Sequence, residues 1–91
     1  MEKDIKSLFL SNVAQVVGNP SALVVYRAEG NYLYDQEGTP YLDFISGISV
    51  ANTGHGHPTI ISSVINQVKR HMHVMVYGEF AIEPQAKLAT K

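Results

Sequence analysis

Residues 41–58, YLDFISGISVANTGHGHP, set the organisation of the chain. The stretch opens as a strand, with Leu42 and Phe44 on one face and Tyr41 and Asp43 on the other. It then dissolves into small and polar residues: Ser46, Gly47, Ser49, Asn52, Thr53 and Gly54. It closes on His55-Gly56-His57-Pro58, where proline suits the first position of a helix and His57 the cap before it. This density of glycine and histidine after a strand suggests backbone shaped for close approach by another segment, a subunit or a ligand. The plainer alternative is a glycine-rich connector between strand and helix.

Upstream, Ile5, Leu8, Phe9, Val13, Val16 and Val17 recur at three- and four-residue spacings. The pattern predicts an amphipathic helix from about Lys3 to Val17, with Asp4 as its cap or first-turn acid. Gly18-Asn19-Pro20 is expected to stop it. Residues Leu23–Ala28, Tyr32–Asp35 and Pro40–Phe44 read as three short strands separated by the turns Glu29-Gly30-Asn31 and Gln36-Glu37-Gly38-Thr39. Such spacing predicts an antiparallel meander. Leu33, Leu42 and Phe44 are expected inside it and the tyrosines partly outside.

Downstream, Ile61, Val64, Ile65, Val68 and Met72 form one apolar stripe of a helix from about Pro58 to His71, with Asn66, Lys69 and Arg70 facing away. Residues 73–77 read as short and extended, Gly78-Glu79-Phe80 as a turn, and Glu83-Pro84 as the opening of a last helix. That helix has no C-cap signal before Lys91, and the expectation is a single truncated domain over 1–91. Val74, Val76, Phe80 and Leu88 have no evident partners, which predicts a homo-oligomer. The fold class expected is α+β: an N-terminal helix, a three-stranded antiparallel meander, then helices.

Composition narrows the function. The 91 residues carry a formal net charge of −1, with no basic run or face, so the footprint of a nucleic-acid binder is missing. No apolar run approaches the roughly 20 residues that span a bilayer, and the start MEKDIKSLFL lacks the pattern of a signal peptide. Cysteine is absent, which excludes disulfide and thiol chemistry and fits a cytoplasmic protein.

Three chemistries are testable from residue types alone. His55-x-His57 and His71-x-His73 have chelating spacing in an extended segment. However, one pair runs into a helix start, the other straddles a helix end, and neither has an adjacent acid, so no metal site is assigned. Gly54–His57 leads into a helix N-terminus that could meet an anion, but Pro58 removes a donor and no nucleotide fingerprint is present. Asp43, Glu79 and the histidines are acid–base candidates by type, yet no spacing joins a nucleophile to a base and an orienting group. No catalytic residue is assigned within the chain.

Taken together, Gly30-Asn31-Tyr32-Leu33-Tyr34-Asp35, Gly38, Tyr41-Leu42-Asp43-Phe44, Ser46-Gly47-Ile48 and Gly54-His55-Gly56-His57-Pro58 resemble the opening of the class III aminotransferases. These are pyridoxal-phosphate enzymes such as the acetylornithine, ornithine and 4-aminobutyrate aminotransferases. His73-Val74-Met75 is also similar to a segment of the diaminopelargonic acid aminotransferases, but the two tryptophans of that subfamily near Gly47 and Ile48 are absent.

The resemblance implies part of the small domain of a fold-type I enzyme, dimeric, moving an amino group from an amino donor to a 2-oxo acid. It implies a substrate-pocket wall at Gly47 and Ile48, with Gly18 and Tyr77-Gly78-Glu79 near the same cleft. An aliphatic Ile48, where some relatives place an aromatic, resembles the 4-aminobutyrate type. The family's Schiff-base lysine and most of its cofactor-holding residues lie far downstream, and Lys69, Lys87 and Lys91 do not match its position. Pyridoxal phosphate is therefore expected in the parent enzyme and not on this chain, which is expected to be inactive alone. The rival readings are a stand-alone binding module and a small histidine-based metal protein.

Overall fold

The computed structural model describes residues 4–75 and 77–91. The chain divides into two units, the first ending at His57 and the second running from Pro58 to Lys91.

The first unit opens with helix α1, Ile5–Asn12. Asp4 is its N-cap, accepting hydrogen bonds from the Ser7 N–H and the Ser7 hydroxyl, both at 2.9 Å. The helix ends well before the expected Gly18. Val13 is already extended, at φ −94° and ψ 130°. The end carbonyls find side-chain donors: Asn12 Nδ2 bonds the Leu8 carbonyl at 2.9 Å, and Gln15 Nε2 bonds that of Val13 at 2.6 Å. Beyond them, Val13, Val16 and Val17 are β-branched and exposed, so helix would restrict their χ1 angles with no packing in return.

The meander follows in the order β1-β2-β3, antiparallel throughout. Its strands are β1 Arg27–Glu29, β2 Tyr32–Tyr34 and β3 Pro40–Leu42. β1 begins later than the β-rich Leu23–Val25 suggests. β2 ends at Tyr34 because Asp35 turns the chain, so pairing stops with the Tyr26 N–H on the Tyr34 carbonyl at 2.8 Å. The β2–β3 turn is built on the Asp35 carboxylate. It accepts from the N–H groups of Glu37 (3.0 Å) and Thr39 (2.8 Å) and from the Tyr41 hydroxyl (3.2 Å). These donors, the Thr39 N–H foremost, hold the Asp35 carboxyl below the usual range.

The register corrects the expected interior. Leu33 pairs with Tyr41 and Ala28, while Leu42 pairs with Tyr32, which pairs with Glu29. Because strand side chains alternate, Leu33 and Leu42 therefore lie on opposite faces. Leu33 is half-buried and Leu42 exposed, and Phe44, beyond the end of β3, is 89% exposed.

The second unit contains helix α2, Pro58–Arg70, and helix α3, Glu83–Ala89. Lys69 and Arg70 occupy the last turn of α2, where cations complement the helix dipole. Gln67 Nε2 donates to the His71 carbonyl at 3.1 Å just past that end. Of the expected stripe, Ile61, Val64, Ile65 and Val68 lie in α2 and Met72 falls beyond its end; all five are exposed. Residues 73–75 form no strand, and Val76, also expected there, lies outside the described residues. The Thr90 hydroxyl, bonded to the Lys87 carbonyl at 2.7 Å, supplies the cap that the sequence pattern of α3 lacks. Taken as whole residues, none of the described ones is buried, and no helix among them is long and apolar enough to cross a membrane.

Candidate functional site

The 41–58 stretch folds back onto the β1–β2 turn. The Asp43 N–H bonds the Asn31 carbonyl at 2.8 Å, and Gly30 and His55 exchange two backbone hydrogen bonds, each 2.8 Å. Two glycines permit this approach. Gly30 has φ +58° and Gly54 φ +75°, and a Cβ on Gly54 would stand 3.2 Å from the Gly30 carbonyl oxygen.

Between these anchors lies a four-residue left-handed turn, Ser46–Ser49. All four residues have positive φ: 51° at Ser46, 62° at Gly47, 66° at Ile48 and 63° at Ser49. Glycine tolerates this conformation, but each of the three others carries a cost of about 1–2 kcal/mol. A β-branched residue such as Ile48 is a pronounced outlier there. Local hydrogen bonds offset the strain. The Ser49 N–H bonds the Ile45 carbonyl at 3.0 Å, and the Val50 and Ala51 N–H groups share the Ser46 carbonyl at 2.8 and 2.9 Å. Strain of this kind concentrates at functional sites. Ile48, at the middle of the turn, is 83% exposed.

Asp43 closes the arrangement. Its Oδ1 accepts from the Ser46 N–H at 2.9 Å, the Ser46 hydroxyl donates to its carbonyl at 3.2 Å, and its Oδ2 lies 2.6 Å from His55 Nε2. The Asp43 side chain is 7% exposed and that of His55 25%. The His55 bond, followed by the Ser46 N–H, holds the Asp43 carboxyl below its ordinary range. The ionised carboxylate only accepts, so His55 Nε2 carries the proton in this bond. No acid flanks either histidine pair in sequence, yet the fold brings one, twelve residues away, onto His55. Leu42 and Phe44 give the signal of a strand through Asp43, but nothing in the spacing reveals this link or the left-handed turn.

The residues singled out from sequence are distributed as follows. Gly47 and Ile48 share the left-handed turn in the first unit. Gly18, in the same unit, lies in the bend after α1 with open space around it. Tyr77, Gly78 and Glu79 lie together on an exposed bend of the second unit, with Gly78 at φ +71°. Among the described residues, no three His, Asp, Glu or Cys side chains converge as metal ligands.

The second unit also holds a cavity of about 310 Å³, lined by Ser63, Gln67, Arg70, Glu83, Pro84 and Lys87. Its two cations both turn to Glu83: Arg70 at 3.4 Å, and Lys87 as its i,i+4 partner. The Lys87 bond, ahead of Arg70, holds the Glu83 carboxyl below its ordinary range.

Comparison with known proteins identifies the family. Residues 13–91 match the class-III aminotransferase family, and the chain belongs to it. It is 39% identical over 92 residues to the 5-aminovalerate aminotransferase of Pseudomonas aeruginosa, covering 98% of this chain and 21% of that protein. It is 38% identical over 72 residues to a succinylornithine transaminase/acetylornithine aminotransferase of the same species, covering 79% of this chain and 17% of that protein. Among solved structures, it superposes on the adenosylmethionine-8-amino-7-oxononanoate aminotransferase of Methanocaldococcus jannaschii with a TM-score of 0.82. That match has 27% identity and covers 93% of this chain and 20% of that one. The ornithine aminotransferase of Plasmodium yoelii gives a TM-score of 0.75 at 30% identity, covering 92% of this chain and 23% of the other. The chain thus spans about a fifth of the length of the relatives it matches.

Proposed function

We propose that these residues form the N-terminal part of a pyridoxal-phosphate-dependent aminotransferase that moves an amino group from an amino donor to a 2-oxo acid. The match to the class-III aminotransferases over residues 13–91 carries the reading. In it, the small domain contributes a substrate-pocket wall at Gly47 and Ile48, with Gly18 and Tyr77-Gly78-Glu79 near the same cleft, and contacts of a cytoplasmic homodimer. The exposed Ile48 on a strained turn supports the wall, because an apolar side chain held in an unfavourable backbone conformation suits contact with a ligand. The absence of cysteine suits a reducing compartment.

The described residues do not by themselves fit the cofactor. It requires an enclosed lysine and a phosphate cup, whereas Lys6, Lys69, Lys87 and Lys91 are all exposed. In this reading the catalytic lysine of the enzyme lies outside the described residues, and so does the chemistry of the cofactor.

Two measurements test the reading. The 91-residue chain, mixed with pyridoxal phosphate, a panel of amino donors and 2-oxoglutarate, is expected to give no glutamate above the cofactor blank. The enzyme containing it is expected to give steady turnover. In that enzyme, Ile48→Tyr is expected to change the ranking of amino donors while leaving the melting temperature nearly unchanged. Equal loss on every donor with a large drop in melting temperature would assign Ile48 to packing instead.

A further inference from the structure

The two oxygens of Asp43 serve opposite ends of one loop. Oδ1 holds the Ser46 N–H, where the left-handed turn begins, and Oδ2 holds His55, where the loop returns to the sheet. His55 is itself fixed to Gly30 through both backbone groups, and the Asp43 N–H is fixed to Asn31. A continuous line of hydrogen bonds thus runs from the β1–β2 turn through His55 and Asp43 to Ser46, two residues before Ile48. A turn with positive φ at Ser46, Ile48 and Ser49 has lower-energy conformations available once its start is released. We propose that Asp43 and His55 are positioning residues that fix this turn and thereby hold Ile48 against the amino donor. The role rests on the reading that Ile48 lines the donor pocket.

The test separates the two ideas. In the pyridoxal-phosphate enzyme that carries these residues, Ile48→Ala alone is expected to raise the donor KM. Asp43→Ala is expected to raise it about tenfold when Ile48 is present and less than about twofold in the Ile48→Ala background, since the two residues act along one line. If Asp43→Ala does not fold, Asp43→Asn is read in the same cycle. Additive effects would overturn the proposal.

Hydrogen exchange in the absence of substrate reports the clamp without reference to activity. The peptide covering residues 44–53 is expected to exchange faster in Asp43→Asn and His55→Leu. It is expected to return towards the parent rate in His55→Gln, whose amide can still donate to Asp43. Unchanged exchange in all three variants would overturn the clamp even if Ile48 lines the pocket. Faster exchange with an unaltered donor KM in Ile48→Ala would instead refute the pocket reading, and the positioning role with it.

Discussion

Asp43 holds its partners as a carboxylate, so its contribution to stability depends on pH. Its folded pKa lies below the unfolded one, chiefly through His55 and then the Ser46 N–H. The stabilisation is therefore complete above the ordinary carboxylate range, about pH 4. It is lost as pH falls through the lower folded value. Denaturation of the parent and Asp43→Asn proteins from pH 7 down to pH 2 should show a stability gap at neutral pH that narrows below about pH 4. A gap independent of pH would mean that the ionised form is not what matters. The glycines give a second test at this scale. Gly47→Ala adds a side chain at φ +62° whose Cβ would lie 2.9 Å from Val50 Cγ2. Val50 can turn aside, so the expected loss is the conformational cost, about 1–2 kcal/mol by denaturant titration. At Gly54 the obstacle is the Gly30 carbonyl, which is fixed by His55, so Gly54→Ala should cost more than Gly47→Ala.

At the scale of the elements, the polar links on exposed faces contribute little individually. Arg27 lies 3.7 Å above the Tyr34 ring, its direct cross-strand partner, and also bonds Glu29 at 3.0 Å. Arg27→Met should cost about 0.5–1 kcal/mol, mostly from the lost ring contact. Thermal melting of this variant at low and high salt checks the assignment, since a loss that vanishes in salt would point to Glu29 instead. The elements also show what periodicity can and cannot reveal. The α2 span was legible because proline starts it and Ile61, Val64, Ile65 and Val68 keep helical spacing within it. The end of α1 was not, because Asn12 and Gln15 close it with side-chain bonds before the glycine. The start of β1 was hidden for another reason: β-branched residues favour extended backbone, but a strand also needs a partner, and the turn at Asp35 removes it. The facing of Leu33 and Leu42 depended on register, which one strand read alone does not contain.

For the molecule as a whole, the large apolar side chains among the described residues of both units remain in contact with water, including Val16, Phe44, Ile45, Val50 and Met72. Apolar burial is the main term opposing chain entropy. These residues therefore depend on further apolar surface to hold their fold firmly. The isolated 91-residue polypeptide is expected to bind a hydrophobic dye and to self-associate. Sedimentation giving a monomer at every accessible concentration, with no dye binding, would contradict this. The candidate site was legible only in part at this scale. Gly47 and Ile48 stood out through motif resemblance, but the Asp43–His55 link joins residues whose separation follows no local period.

The handedness of Ser46–Ser49 also has a stereochemical consequence. A backbone conformation that penalises an L-residue is the ordinary helical one for its mirror image. If position 47 were filled by semisynthesis with D-alanine, the new methyl group would restrict the unfolded chain without opposing the turn. The D-residue should then raise the denaturation midpoint where L-alanine lowers it. A pair of proteins differing only in the configuration at one carbon would thus report, by the sign of the change, the hand in which the loop is wound.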